Sequence, residues 1–490
     1  MIALSFAALL VICVTAIFKW RTGLILCVFV ALLQDPARKL SPESPVFFVI
    51  FVGVVFIAAW IGAWVSRVKL GPQLIHGWQQ NLKTPTMLFA ALLVLQVMHS
   101  MGRWDNAMLP AIGLVFYTAP ALAVVFAHQF AQRVGARGIR QFLWFYVGTS
   151  LIWFLAILAE TNGINSPMFG EVGVGQIIYS FGLNKKAASG FYRAAEVAAW
   201  HIATVSCCLF ILLNGRGFSL FKSLLVVALV TYLMYVGFAT GRRKMLVYVV
   251  IFGGVYLALF AWFLRGKARL AVFGLVASGV FFGALLGLGP DVGERGFDRV
   301  QSNLGQTDSQ AAWVERGLTV FGDIPARFQL LAYRPVEWAV DAYGWFGAGL
   351  GTGAQGAQHF SGGLTFGGAA EGGLGKITLD LGVPGLLLFL WLIYAVMQQI
   401  WQRLHALSRA SRPHATLAFG LAALLVANVA SFAIATQVYG DVFVLLILGW
   451  SIGFLLALPA VAYQETQMHS RAGVTTRGHP TVGAVGVALR

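Results

Sequence analysis

Charged residues (Asp, Glu, Lys and Arg) make up only 11% of this 490-residue chain, so those beside glycine or at the ends of apolar runs are the ones to read for chemistry. The richest stretch runs from Trp345 to Leu390. It opens as a glycine-rich segment, passes His359 and Glu371, and turns into an apolar run holding Lys376, Asp380 and a Gly-Val-Pro-Gly step at Gly382 to Gly385. Glycine lets a ligand approach the main chain closely. A carboxylate or imidazole in such a loop can take a proton from a hydroxyl. A polar, ionisable loop feeding straight into an apolar run suits a substrate carried on lipid. A plain glycine-rich connector has the same composition.

Arginines supply the complementary chemistry. The turn Ala239-Thr-Gly-Arg-Arg-Lys-Met245 places Arg242, Arg243 and Lys244 between two long apolar runs, and Arg193, Arg38 and Arg103 stand in other short connections. A guanidinium matches phosphate oxygens in pairs, so arginines converging near a glycine-rich loop suit a pyrophosphate group. The competing reading is an interfacial cation reaching for lipid phosphate, above all for Arg38 and Arg103. Glu171, Glu196, Glu371 and Asp380 could accept protons or pair with the arginines; for Glu196 and Asp380 the expectation is pairing. His201, inside an apolar run, is expected to bond a neighbouring helix, and His359 could equally be a solvated loop residue. The sequence has no H-E-x-x-H, phosphate-loop or G-x-S-x-G motif and no D-x-D pair in a loop, which argues against a bound metal.

The elements that must position these groups are membrane helices. Hydrophobic residues make up 59% of the chain and mean hydropathy is +0.78, whereas soluble domains carry roughly 25% charged residues. Counting apolar runs of about 20 residues predicts an all-α, polytopic transmembrane protein of about 13 spans. They lie near 2–18, 22–34, 46–66, 85–101, 107–130, 141–160, 194–214, 219–240, 245–264, 270–289, 376–399, 415–436 and 442–463. The second is short enough to be tilted or partly inserted. The first lacks a basic leader and an A-x-A-like site, so it reads as retained. Residues 1–463 form one membrane domain, interrupted by a large loop at 290–375. Residues 311–341 mix Trp313, Phe321, Phe328 and Trp338 with Glu315, Arg316, Arg327 and Arg334, as amphipathic helices on a membrane surface do. The polar tail, 464–490, reads as disordered. Cys13, Cys27, Cys207 and Cys208 all fall in apolar runs and read as packing residues.

Basic residues set the orientation. Alternate loops and the tail collect 19 of the 34 Lys and Arg but a single acid, Glu465. Such loops stay in the cytoplasm, which places the other loops, 290–375 included, outside. The net charge of +16 thus reports topology and carries no argument for nucleic acid.

Several of these residues, in this order, resemble the O-antigen ligase and Wzy-type polymerase superfamily of membrane glycan-assembly enzymes. Gly-Ala-Gly-Leu-Gly-Thr-Gly at 347–353, Ala370-Glu371 and Asp380-Leu-Gly-Val-Pro-Gly385 are similar to its glycine-rich loop, His-Asn or Glu-Asn pair, and acid before Gly-x-Pro-Gly. Thr240-Gly241-Arg242-Arg243 resembles its Thr-x-Ser-Arg-Gly step. Ser189-Gly190-Phe191-Tyr192-Arg193 resembles an outer Gly-x-Phe-Arg element. The likeness spans roughly residues 190–400. It implies a bacterial inner-membrane glycosyltransferase, without cofactor or metal, acting on an undecaprenyl-diphosphate-linked oligosaccharide at the periplasmic face. Arg242 or Arg243, with Arg193, would hold the diphosphate. Glu371 would be the base, with His359 as substitute. Chain-length regulator and export proteins are the implied partners. Glu371 stands where ligases usually have histidine, which favours a polymerase or exopolysaccharide-assembly member over a ligase. Two other classes fit the composition. A lipid-linked sugar transporter or flippase should show broken helices or paired halves. A non-catalytic scaffold for a polysaccharide machine is the other.

Overall fold

The computed structural model describes residues 2–68, 71–172, 177–180, 183–214, 220–242, 244–263, 328–354, 357 and 372–476. The regular structure in this range is helical except for a short antiparallel hairpin, β1 (Ile177–Ser180) and β2 (Leu183–Lys186). In order the helices are α1 (Ile2–Phe18), α2 (Gly23–Lys39), α3 (Phe51–Val65), α4 (Pro72–Gly77), α5 (Lys83–Trp104), α6 (Met108–Thr161) and α7 (Ala195–Asn214). There follow α8 (Leu220–Phe238), α9 (Lys244–Phe263), α10 (Arg334–Tyr343), α11 (Gly373–Ala410), α12 (Arg412–Ile434) and α13 (Val442–Thr476). Nine helices among the described residues are long and apolar enough to cross a membrane, which makes this a multi-pass membrane protein by length and composition. Large apolar side chains such as Leu10, Trp64, Val94, Leu155 and Leu387 face outward, as they do where the solvent is lipid.

Helix α6 runs 54 residues, about 80 Å if straight at 1.5 Å per residue, far beyond a hydrocarbon core of about 30 Å. It breaks at Gly135, whose φ of 71° and ψ of −175° belong to a region open essentially to glycine alone. Both of its arms then pack on α13. Phe130 before the break and Phe142 after it both pack on Phe454 of α13, with ring centroids 6.1 and 5.7 Å apart. The N–H of Ala136, orphaned by the break, donates to Glu465 Oε1 at 3.0 Å. Glu465 Oε2 meets His414 at 3.0 Å. The one acid among the basic loops therefore ties α6, α12 and α13 together.

Sequence and structure differ at several boundaries. The second helix is not truncated: it continues through Pro36 to Lys39, because its last turns are buried against protein and need no lipid-compatible residues. Helix α13 continues past 463 to Thr476, so the polar tail starts later than hydropathy predicts. Of the amphipathic segment, residues 311–327 lie outside the described range. Its remainder forms a π turn, Gln329–Tyr333, and α10, with Leu330 and Tyr333 exposed and Pro335 and Ala339 buried. The predicted span at 270–289 also lies outside the described residues.

The helix ends gather at two poles. At one, the basic connections meet: Gly71 abuts Gln132 and His128, and Arg140 donates to Pro413 O at 3.2 Å. The opposite pole joins the ends of α2, α6, α7, α8, α9 and α13 through the ionised groups described next.

Candidate functional site opposite the basic loops

The site is built on residues 187–196, the entry to α7. Three ionised side chains hold the backbone of this segment. Glu160, at the end of α6, accepts from the N–H groups of Ser189 and Gly190 at 3.0 and 2.7 Å. Lys39, the last residue of α2, donates to Gly190 O and Tyr192 O at 2.9 and 2.6 Å. Asp35, buried one turn earlier, accepts from Arg193 N at 2.9 Å. Backbone groups of an irregular segment buried among helices must find partners, and charged groups make the strong ones.

This framework also decides the fate of Arg193. Its guanidinium lies 2.9 Å from Asp441 Oδ2 and is nearly buried. Asp441 caps α13, accepting from Phe443 N at 2.7 Å. Arg193 is thus committed to holding α7 against α13. Arg38 and Arg103 are not simple interfacial cations either. Arg38 is buried and donates to Ser44 O at 2.9 Å. Arg103 donates to Gly347 O at 3.3 Å and lies over the rings of Trp104 and Tyr343.

Arg242 is placed differently. The turn after α8 is pinned by Ala188 N donating to Ala239 O at 3.1 Å and by Thr240 Oγ1 donating to Gly237 O at 2.6 Å. It presents Arg242 to two carboxylates, Glu196 at 2.7 Å and Glu171 at 4.0 Å. The guanidinium is partly exposed, and its Nε has no hydrogen-bond partner. It stands at a narrow cavity with Glu196, Lys244 and Gln437, whose inner wall includes Trp200, Tyr248 and Tyr439. The floor is fixed by Asn428, which accepts from Trp200 Nε1 at 2.9 Å and donates to Tyr248 OH at 2.6 Å. Burial pushes the Glu171 carboxyl above the usual glutamate range, and neighbouring Glu196 adds to this. The Ala195 N–H, Arg242 and Lys39 pull the other way.

A second constellation forms around the glycine-rich loop. Helix α11 breaks at Gly382, at φ 70° and ψ −174°, and the loop docks onto the break. Ala348 N donates to Leu379 O at 2.7 Å and Val383 N to Trp345 O at 2.9 Å. From α5, Gln96 donates to Phe346 O at 2.9 Å and Trp104 Nε1 to Ala348 O at 2.8 Å. Asp380, wholly buried, accepts from Gly353 N at 2.7 Å and Tyr117 OH at 3.0 Å. Lys376, one turn away, lies 4.8 Å from the Phe116 ring centroid, a cation–π contact. Asp380 therefore anchors the loop.

Compared with protein-family models and with curated proteins, the chain matches none.

Of the five residues singled out by sequence, the structure places Arg242 and Arg193 in one framework. Arg243, His359 and Glu371 lie outside the described residues. Gly372, next to Glu371, packs against the carbonyls of Leu331 and Ala433, and Ala435 lines the Arg242 cavity. Glu196 pairs with Arg242, and His201 bonds Tyr146 OH at 2.7 Å, both as expected. Sequence reading missed Asp35, Lys39, Glu160 and Asp441. Their signal was visible: each is an ionisable residue at the edge of an apolar run, where bare charges are expensive. Chemically, the arrangement offers a partly exposed guanidinium, its Nε buried and unbonded, beside a lysine at an apolar-walled cavity. An anion can bind there by displacing Glu196.

Proposed function

We propose that this chain is an inner-membrane glycosyltransferase that polymerises oligosaccharide units carried on undecaprenyl diphosphate, working at the face opposite its basic loops. The single observation supporting the reading is Arg242. It contravenes the charge bias of its loop, and its guanidinium stands at an apolar-walled cavity with an unbonded Nε. An amphiphile with a phosphate head and a lipid tail has that chemistry. In the reaction an acceptor hydroxyl attacks the anomeric carbon, and the bond to the diphosphate oxygen breaks with its electron pair leaving on phosphate. Arg242 stabilises that charge, and preorganised donors are commonly the largest catalytic term. Glu371 takes the hydroxyl proton, with His359 as its substitute, and Arg243 extends the diphosphate site. Thirteen spans, with the tail in the cytoplasm, put this site on the periplasmic side.

The test uses purified protein in lipid, with lipid-diphosphate oligosaccharide as both donor and acceptor. Arg242→Ala should abolish chain growth at unchanged protein level, and Arg242→Lys should restore little, because it keeps the charge and loses the paired fork. Glu371→Gln should bind lipid donor and lose turnover. Wild-type rates in Arg242→Ala would remove the diphosphate role.

One observation favours a second reading, transport of a lipid-linked sugar. Helix α11 is broken at Gly382 beside buried Lys376 and Asp380, and broken helices mark transporter sites. Vesicles holding the protein separate the two readings: a transporter moves labelled lipid-linked sugar between leaflets without lengthening it.

A further inference from the structure

At the end of α6, where Glu160 holds the 187–193 segment, lies an open pocket of about 240 Å³, lined by Glu160, Ile164, Asn165, Ser166, Pro167 and Phe169. It is open to solvent and roomy enough for a small polar ligand such as a sugar ring. Its carboxylate is built in. Glu160 Oε2 is fixed by the N–H groups of Ser189 and Gly190, while Oε1 is buried without a hydrogen-bond partner. An immobilised carboxylate oxygen that lacks a donor calls for a hydroxyl. Asn165 offers an exposed amide and Ser166 a hydroxyl within the same wall. Phe169 packs on Phe191 at 5.5 Å, and Phe191 on Trp153 at 5.5 Å, so the apolar wall is rigid. Sugar rings carry hydroxyl donors on their edges and C–H groups on their faces, which this combination of groups complements.

We propose that the Glu160 pocket is a sugar subsite, in which Glu160 Oε1 accepts a hydroxyl of a glycan ring and Asn165 and the Phe169 wall fix its orientation. The proposal rests on the glycan-handling reading above. The 187–193 segment carries the relation between the two sites: Glu160 holds Gly190, Lys39 holds Gly190 and Tyr192, and Ala188 is bonded to the Arg242 turn. A glycan seated at Glu160 is therefore registered against the Arg242 cavity by one short, charge-clamped strip of backbone. Glu160 acts here by holding the sugar and takes no proton.

The probe is the water-soluble oligosaccharide freed from its lipid diphosphate by mild acid, titrated calorimetrically into the protein in lipid nanodiscs. Wild type should bind it. Glu160→Gln should weaken binding at least about tenfold, the loss expected when a charge-assisted hydrogen bond is removed. Asn165→Trp, at an exposed position clear of the framework, should fill the pocket and abolish binding in a folded protein. Arg242→Ala should bind the free oligosaccharide as wild type does, while failing to extend lipid-linked chains. If wild type extends lipid-linked chains but Asn165→Trp and Glu160→Gln bind and extend as well as it does, the subsite is wrong and the glycosyltransferase reading stands. If wild type neither extends chains nor binds the oligosaccharide, both readings fall together.

Discussion

At the scale of single residues, the site is governed by how charges are partnered in a region with little water. Arg193 and Arg242 look alike in sequence, both arginines in short outer connections, yet their roles diverge. Arg193 is nearly buried between Asp441, which also caps a helix, and Asp35, which holds its backbone N–H. Arg242 faces two acids at the edge of a cavity and keeps an unbonded Nε. Glu171 reports on this environment. Because burial raises its pKa, the folded protein holds that proton more tightly than the unfolded chain does. Its contribution therefore favours the fold at low pH and is lost as pH rises from the ordinary glutamate value, about 4.3, through the raised one. Thermal unfolding followed in nanodiscs over that range should show stability falling with pH. In Glu171→Gln, which keeps an acceptor for the Ala195 N–H, the slope should flatten. Superimposable wild-type and Gln profiles would show that Glu171 titrates as an ordinary surface glutamate.

At the scale of elements, two broken helices do most of the shaping. Gly135 and Gly382 share nearly the same backbone conformation, φ near 70° with ψ near 180°, and each break is repaired by a distant group. Glu465 satisfies the first, while the glycine-rich loop satisfies the second. The Gly382 break matters more for function, because it fixes the loop that leads toward His359 and Glu371. A Cβ at Gly382 would strike the Trp345 carbonyl, and its backbone angles alone cost a side-chain-bearing residue about 1–3 kcal/mol. Gly382→Ala should therefore lower the unfolding midpoint and expose the loop to protease near Trp345. An Ala variant with wild-type stability and protease resistance would show that the loop does not depend on this break.

At the scale of the whole molecule, charge divides the chain into two poles, and among the described residues basic connections assigned to one side meet: Gly71 abuts Gln132 and His128, and Arg140 bonds Pro413. Which pole faces the cytoplasm follows from the positive-inside bias and can be measured directly. In a background without the four native cysteines, a cysteine at Glu43 or Asp105 should react with an impermeant reagent in intact cells, and one at Arg409 only after the cells are opened. Labelling of the Arg409 position in intact cells would invert the protein and with it the proposed face of catalysis.

The sequence by itself determined the membrane class and the positions of most helices, because hydropathy is a property of single residues summed over short windows. It also singled out the Arg242-Arg243 turn, since arginines in the wrong kind of loop are visible without any partner, but it left open which of the two matters. What it left open was pairing. That Glu160 and Lys39, 121 positions apart in the numbering, grip the same backbone, or that Asp441 takes Arg193 away from any ligand, depends on which helix ends meet. The second helix looked truncated for the same reason: Asp35, Arg38 and Lys39 lower its hydropathy, but their partners come from residues more than a hundred positions away or from the following turn. Tertiary structure decided these points because a buried charge is tolerated only where a partner is delivered to it, and the delivery is made by the fold.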